Sequence, residues 1–414
     1  MKFDSLAEKN IFYNIPVFLF SFLPIFLVTG PFLSDLSISL ISIIFLFYCI
    51  KKKNFSFFKN KYFYFFLLFY LYLLFNSLIN NFNLNSLKIS FFFFRYGVFV
   101  TAIVYLLEYN NKFIKYFFYI LFFSFTLLIF DGFTEYFTKK NFFGFQSIDY
   151  YRVSSLFKDE LILGSYISRL WPLLFSLFIL IFKSNLKIYY FIIFILAEAL
   201  VFLSGERTAF LYLNFSAVFV IFFSKNLKKI RFVILIISSI IIILVSYLNP
   251  TAKERIIDQT VSQIKNNGEI VIFSQEHDQL YRTSYKMFLD NKIIGVGIKN
   301  FSKFCSTEKF KAGNLSCSTH PHNYYLQILA ETGLLGALFI LIVLFYFLKY
   351  LIIHSAALFK KDYYFSDVEI SILSGIAIFL IPFVPTGSIF NNWVNITLCL
   401  YFPFLIYCRK LKFR

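Results

Sequence analysis

Long apolar runs recur along the whole sequence and limit the folds open to it. Each run has about 17 to 25 residues, which is the length that a helix needs to cross a hydrocarbon layer of roughly 30 Å. The composition agrees, because 59% of the 414 residues are hydrophobic and only 15% are charged, whereas soluble domains have about 25% charged residues. The sequence therefore predicts an all-α, polytopic integral membrane protein.

The apolar runs predict about twelve transmembrane helices. The first run is included because it is too long for a signal-peptide core and lacks a small-residue cleavage site. Lys and Arg concentrate in alternate connectors, so the positive-inside rule predicts that these connectors and both termini are cytoplasmic. The basic connectors are 51–61, 183–187, 225–231, 360–361 and 409–414. The predicted spans are 13–30, 33–50, 61–79, 89–107, 113–131, 161–182, 188–204, 208–223, 232–248, 323–347, 368–384 and 393–408.

Two long connectors fall on the predicted outer side, where the short connectors hold only Asp35 and Lys88 as charged residues. The short cytoplasmic connectors cannot form a nucleotide-binding domain, and the sequence has neither a P-loop nor a GxGxxG motif. We therefore expect any catalytic site to lie on the outer side of the membrane. The predicted organisation is N-terminal membrane helices in 1–131, a periplasmic loop in 132–160, helices with the SGER motif in 161–248, a large periplasmic loop in 249–322 and C-terminal helices in 323–414.

Arginine and histidine side chains stand where the predicted spans meet the outer loops. Arg207 and Arg282 can together hold a pyrophosphate, because the guanidinium group forms bidentate pairs with phosphate. For either residue alone, snorkelling or a topological role is the alternative. His322 suits general-base work because its unperturbed pKa of about 6.5 lies near working pH, and a structural hydrogen-bonding role is the alternative. A metal site formed by His320, His322 and residues 276–278 is disfavoured, since coordination needs three or four convergent ligands.

The five cysteines fall into two groups. Cys305 and Cys317 share the large loop, and an oxidising periplasm favours a disulfide between them, with two free thiols as the alternative. The other three lie in predicted spans and are expected to behave as small hydrophobic residues; they are Cys49, Cys399 and Cys408.

Charged residues inside predicted spans are costly and are therefore candidates for function. Glu198 and Arg169 stand at similar depth on neighbouring spans, so an ion pair between them is predicted, with a structural and a functional role equally open. The full set is Arg95, Arg169, Glu198 and Glu331.

The spacing after the second loop histidine is a motif. His322 and Asn323 are followed by nine residues, then Gly333, two residues and Gly336. This pattern resembles the histidine motif of the bacterial O-antigen ligase and O-antigen polymerase superfamily. The similarity extends over roughly residues 150 to 400 and includes "RVSSLFKDELILGSYISR" (152–169), "SGERTA" (204–209), "YR" (281–282), "GVGIKNF" (295–301) and "PTGSIFNNW" (385–393). It implies a GT-C-like membrane fold.

The resemblance also implies a function. Such ligases move a glycan from undecaprenyl pyrophosphate to a sugar hydroxyl of lipid A-core, on the periplasmic face of the bacterial inner membrane, with no nucleotide, metal or other cofactor. A nucleic-acid partner is not expected either, because the net charge of +18 is scattered between the spans and forms no soluble basic face. By resemblance His322 is the base that activates the acceptor, and the reaction inverts the anomeric carbon. The implied pyrophosphate-binding residues are Arg207, Arg282 and, as a third candidate, Arg152. The supporting candidates are His320, Asn323, Glu206 and Glu331.

Three other functions stay open at this stage. A polymerase shares the donor chemistry and differs only in extending a lipid-linked glycan; the spacing of the motif favours the ligase. A polysaccharide or lipid transporter is less favoured, because the polar candidates stand at the outer rim rather than at mid-membrane and no internal repeat is evident. A non-catalytic partner in envelope assembly predicts that His322→Ala leaves function intact.

Overall fold

The chain folds into a helical bundle. The computed structural model describes residues 6–80, 83–149, 152–182, 188–248, 250–266, 269–270, 273–360 and 362–412; the basic connector 183–187, Lys361 and the tyrosines 150–151 lie outside these ranges. The helices are α1 (Leu6–Thr29), α2 (Pro31–Lys51), α3 (Lys61–Ile79), α4 (Leu84–Phe92), α5 (Phe94–Tyr109), α6 (Phe113–Thr138), α7 (Leu163–Phe182), α8 (Ile188–Leu203), α9 (Arg207–Phe223), α10 (Lys228–Leu248), α11 (Thr251–Lys253), α12 (Gln259–Ile264), α13 (Gln275–Asp290), α14 (Phe301–Phe304), α15 (Tyr324–Phe359), α16 (Asp367–Phe379), α17 (Asn392–Cys399) and α18 (Tyr401–Lys412).

Short irregular helices and one small strand pair complete the described structure. Single 3₁₀ turns cover Ser56–Phe58 and Ser155–Phe157, and a π-helical turn, Glu254–Asp258, joins α11 to α12. Two strands of two residues each, β1 (Lys265–Asn266) and β2 (Glu269–Ile270), pair antiparallel. The all-α prediction is confirmed.

The helices agree with the predicted spans in position. Within the described residues, nine helical segments are long and apolar enough to cross a membrane, which supports a multi-pass membrane protein. The predicted spans 188–204, 208–223 and 368–384 coincide with the shorter helices α8, α9 and α16, of 16, 17 and 13 residues. Twelve crossings therefore stay a prediction.

Helix α7 lies at the centre of the bundle. It packs against α6, α8, α9 and α16, and its Tyr166, Trp171 and Phe175 are almost fully buried. Large apolar side chains such as Phe47 and Phe130 are exposed on the outside of the bundle, as expected where a helix faces lipid. The free cysteines Cys49, Cys399 and Cys408 are buried, in agreement with their expected role as small hydrophobic residues.

The predicted ion pair between Glu198 and Arg169 is wrong. Glu198 pairs instead with Arg231, because α8 packs on α10 and brings this arginine within reach. The guanidinium carbon of Arg231 also lies 4.2 Å from the ring centroid of Trp171. Arg169 points towards other helices and is surrounded by the aromatic rings of Tyr212, Phe379 and Trp393, at 5.1, 5.7 and 6.0 Å. Two side chains at similar depth on neighbouring helices can point in different directions around the helix axes, so depth alone did not predict the partner of Glu198.

The glycines of the histidine motif shape α15. Its course is interrupted at Gly333, where φ is 66°. Residues 292–297 dock there: Val296 N–H donates to Ala330 O (2.9 Å) and Leu334 N–H donates to Lys292 O (2.8 Å). A Cβ on Gly333 would collide with the backbone of Ile293. The glycine therefore lets the helix accept a loop segment against its backbone, which fixes the long connector on the bundle.

Candidate functional site

Three of the four histidines meet at one end of the bundle. We call this the loop end; it is formed by the described residues of the connectors 139–162, 249–323 and 380–391. The ring centroids of His320 and His322 are 4.1 Å apart, and those of His277 and His322 are 5.8 Å apart. His322 is thus the middle member. Two members of this cluster, His320 and His322, were predicted from the sequence. His277 was missed, because residues 276–278 were considered only as possible metal ligands.

Each histidine is positioned by a local feature of the chain. His277 is in the first turn of α13, where the N-cap residue Ser274 has its hydroxyl 2.7 Å from Nδ1 of the imidazole. His322 has a φ of 54°, in the left-handed region that few non-glycine residues adopt. Its carbonyl accepts a hydrogen bond from Thr386 N–H (2.8 Å), and Thr386 O lies 3.3 Å from His320 Nε2. The "PTGSIFNNW" connector therefore holds both loop histidines.

Asn323 anchors the start of the following helix. Its Oδ1 accepts from Leu326 N–H (3.1 Å) as the N-cap of α15, and its Nδ2 donates to Pro382 O (2.7 Å). An N-cap asparagine satisfies a helix donor that otherwise has no partner. The asparagine next to His322 in the motif thus fixes the direction in which α15 leaves the histidines.

The environment keeps the histidines neutral. Burial lowers the pKa of His322 below its usual value of 6.5, although the carboxylate of Glu276 acts in the opposite direction. Burial and the neighbouring His322 lower the pKa of His320 to about 4. The pKa of His277 is lowered by burial, by His322 and by the positive charge of Arg207. The lowered pKa of each ring favours its neutral form at neutral pH, and a neutral imidazole is the form that accepts a proton.

An arginine cluster stands beside the histidines. Arg207, the first residue of α9, donates through Nε to Arg255 O (3.1 Å) and through Nη2 to Gln259 Oε1 (3.3 Å). Arg255 Nη1 donates to the same Gln259 oxygen (3.0 Å). The Nε of Arg255 is buried and has no hydrogen-bond partner among the described residues. The two guanidinium groups thus share one amide oxygen, and Arg255 keeps one buried donor that an anion can use.

Arg152 and Glu206 build the turn that carries Arg207. Arg152 donates to Ser204 O (3.1 Å) and Leu161 O (2.9 Å). Glu206 accepts from the backbone N–H groups of Gly164 (2.6 Å) and Ser165 (3.0 Å) at the start of α7. Burial lowers the pKa of Arg152 and Arg255 lowers it further, against the opposing effect of Glu206. The third predicted arginine is therefore next to the cluster, with part of its donors used to hold the SGER turn.

Two other predicted residues stand apart from these contacts. The Arg282 side chain is 70% exposed and pairs with Asp278 one helical turn away (2.8 Å). Glu331 is buried and accepts hydrogen bonds from Phe301 N–H (3.1 Å) and Gln327 Nε2 (3.1 Å). Glu331 therefore holds the long connector against α15, whereas Arg282 faces solvent in this structure. Their proposed roles in catalysis stay predictions.

A disulfide closes a loop of the chain just before His320 and His322. Cys305 and Cys317 are bonded through their sulfur atoms, with their Cα atoms 4.9 Å apart. The bridge ties the end of α14 to the segment that leads into residues 318–322. Ser318 in that segment has its hydroxyl 3.4 Å from His322 Nε2. The bridge thus restrains the approach to the histidine cluster.

We expect the double variant Cys305→Ser/Cys317→Ser to be less stable than the wild type. Closing a loop of this length removes about 3 kcal/mol of chain entropy from the unfolded state. Thermal unfolding of the purified protein in detergent, with and without reductant, measures the difference. Reductant should lower the Tm of the wild type and leave that of the variant unchanged; an equal shift of both would show that the bridge does not stabilise the loop.

No group of three or more His, Cys, Asp or Glu side chains is arranged to hold a metal ion within the part of the chain that the structure describes. Metal independence stays a prediction.

Comparison with known families agrees with this arrangement of residues. Residues 191–341 match the O-antigen ligase family. This match confirms the predicted resemblance to the O-antigen ligase and polymerase superfamily, and it supports an O-antigen ligase-like or polymerase-like function. The matched region holds all three clustered histidines, Arg207 and Arg255, whereas Arg152 lies before it. A search among curated proteins found none that matches the chain.

Proposed function

We propose that the chain is a ligase that transfers a glycan from undecaprenyl pyrophosphate to a sugar hydroxyl of lipid A-core, on the periplasmic face of the bacterial inner membrane. The observation that carries the proposal is that the neutral His322 neighbours His277, which in turn feels the charge of Arg207, so that the histidine cluster and the arginine cluster meet at the end of a membrane-type helix bundle. A lipid-borne donor suits a site outside the cytoplasm, because nucleotide-activated sugars are made and kept inside.

The chemistry follows from the protonation states of the two clusters. His322 accepts the proton of the acceptor hydroxyl while the oxygen attacks the anomeric carbon of the donor. The bond between that carbon and the pyrophosphate oxygen breaks, and undecaprenyl pyrophosphate leaves with the bonding electron pair. Attack from the face opposite the leaving group inverts the anomeric carbon. The proton stays on His322 until solvent removes it.

The arginines act on the leaving group. Negative charge grows on the pyrophosphate oxygen as the glycosidic bond breaks, and donors already in place stabilise that charge without reorganising. Arg207 and Arg255 are held by backbone and amide contacts, and Arg255 keeps a buried donor without a partner among the described residues. This supports donor binding at the arginine cluster rather than at the exposed Arg282.

The products of the reaction test the proposal. Purified protein is mixed with undecaprenyl-pyrophosphate-linked glycan and lipid A-core, and the products are separated on a gel, with lipid A-core omitted as the control. We expect glycan to appear on lipid A-core only in the complete mixture. Longer lipid-linked chains that form without lipid A-core would make the chain a polymerase. No transfer from a donor that another ligase accepts would overturn both enzyme readings.

A further inference from the structure

A polar cavity lies at the loop end next to His320, and none of the three arginines Arg152, Arg207 and Arg255 lines it. Its volume is about 740 Å³, within the range of roughly 300–1,000 Å³ typical of ligand sites. Thr319 lines it and has its hydroxyl 2.9 Å from His320 Nδ1. The positive charge of Lys299, another lining residue, lowers the pKa of His320, while that of Arg207 acts on His277. The middle histidine, His322, therefore stands between the cavity and the arginine cluster.

The cavity carries a net positive charge. Its charged lining residues are Asp35, Lys88, Arg95, Lys299 and Lys303. Asp35 is already paired with Arg95 (2.6 Å). The three lysines form no ion pair with any carboxylate of the described residues. Three cationic groups therefore remain for an anionic ligand.

The sequence alone makes this placement unusual. The predicted short outer connectors are otherwise free of charge, and the two charged residues they contain, Asp35 and Lys88, both line this cavity. A lysine in a short outer connector opposes the positive-inside bias, so topology does not account for Lys88. Its convergence with Lys299 and Lys303, which lie more than 200 residues further along the chain, indicates a binding function.

Amide and aromatic groups complete the lining. Asn85 and Asn392 present side-chain amides that can donate hydrogen bonds to the hydroxyl groups of sugars, whereas the amides of Asn83 and Asn395 are bonded within the protein. Asn392 is fixed by Tyr96, whose hydroxyl donates to its Oδ1 (2.9 Å). Phe92, Phe93 and Phe390 supply apolar faces beside these amides. The combination of cations, amides and rings fits an anionic oligosaccharide better than a lipid chain.

We infer that this cavity binds the oligosaccharide of the acceptor, and that Lys88, Lys299 and Lys303 hold its phosphate or carboxylate groups. The identification of this ligand as the acceptor rests on the proposed function. The inference extends that function by placing donor and acceptor on opposite sides of His322, so that the acceptor hydroxyl reaches the base from the His320 side and the donor from the His277 side.

The test uses paired charge-removing variants of the full chain. Lys88→Gln/Lys303→Gln removes two exposed lining lysines, and Lys309→Gln/Lys311→Gln removes two exposed lysines of the same long connector that do not line the cavity. The probe is the oligosaccharide released from lipopolysaccharide, whose binding to purified protein is measured by thermophoresis. A second binding series uses His322→Ala, which lacks the proposed base and keeps the cavity.

We expect the lining variant to bind the probe about tenfold or more weakly, the loss expected for two charge-assisted contacts. The control variant and His322→Ala should bind as the wild type does. Probe stripped of phosphate, or with its carboxylates reduced, identifies the anionic group by weaker binding to the wild type. Equal binding of the fully neutral probe, or equal affinity of the lining and control variants, would overturn the inference.

Transfer kinetics separate this inference from the proposed function. In the ligase reaction the lining variant should raise the KM for lipid A-core and leave the KM for the donor unchanged. A raised donor KM with unchanged probe binding would place the donor in the cavity and overturn the inference while transfer stands. If the protein binds the probe through these lysines but transfers no glycan, the result supports the oligosaccharide site and contradicts the ligase function.

Discussion

Replacement of His322 by alanine is expected to lower glycan transfer by about 10²- to 10⁴-fold, the usual contribution of a general base. His322 is the residue through which the rest of the site is connected, because its ring neighbours both His277 and His320. With the base removed, the acceptor hydroxyl must attack while it still carries its proton. The initial rate of transfer to lipid A-core at saturating donor measures the loss.

His320→Ala is the matched control for this loss. His320 belongs to the same cluster and contacts the same Thr386, so its removal disturbs the loop to a similar extent without removing the middle ring. We expect a smaller fall in rate, seen mainly in the KM for the acceptor. An equal or larger fall in His320→Ala, with both variants folded by size-exclusion chromatography, would assign the base to His320.

The pH profile tests the same assignment without removing the histidine. A base works in its neutral form, and the pKa of His322 lies below 6.5 because of burial. The kcat/KM should therefore be flat around neutral pH and should fall as pH drops through that pKa. Glu276 raises the pKa of His322, so Glu276→Gln should move the fall to lower pH. A profile that does not move in Glu276→Gln would contradict His322 as the titrating base.

Local patterns predicted the parts of this molecule that depend on neighbouring residues in sequence. Apolar runs located the helices, because a span must satisfy its own backbone hydrogen bonds and show an apolar surface. The spacing from His322 to Gly333 and Gly336 located the histidines, whereas the interruption of α15 at Gly333 was not predicted. The structure adds the physical reason for the first glycine, since residues 292–297 occupy the place where a side chain would be.

The residues that were missed depend on contacts between distant segments. Arg255 lies in a π-helical turn after α10 and reaches the site through Gln259 and through its own carbonyl, which accepts from Arg207. No spacing rule connects Arg207 and Arg255, which are 48 residues apart and separated by the length of α9 and α10. His277 joins the cluster because α13 packs on α15. Each lysine of the cavity can likewise be read from the sequence, but their convergence on one cavity is visible only in the fold.

Removal of the arginine cluster should produce the second large loss. We expect Arg207→Gln to lower kcat/KM by about 10²-fold or more, because one preorganised donor to a developing negative charge contributes about 10²- to 10³-fold. Arg255→Gln should lower it by about tenfold or more, since this residue shares Gln259 with Arg207 and keeps a buried donor free of protein partners among the described residues. Both losses should include a higher KM for the lipid-linked donor and an unchanged KM for lipid A-core.

Arg282→Gln decides between the sequence-based and the structure-based pyrophosphate site. The substitution removes the same charge, but from a side chain that is 70% exposed and paired with Asp278. We expect less than about a threefold change in donor KM, because an exposed pair of this kind contributes about 0–1 kcal/mol. Inhibition by undecaprenyl pyrophosphate gives an independent measure, since a product held by Arg207 and Arg255 should inhibit their variants weakly and Arg282→Gln fully. A larger donor defect in Arg282→Gln than in Arg255→Gln would mean that α13 turns its arginine towards the donor on binding, and that the cluster around Gln259 only supports the fold.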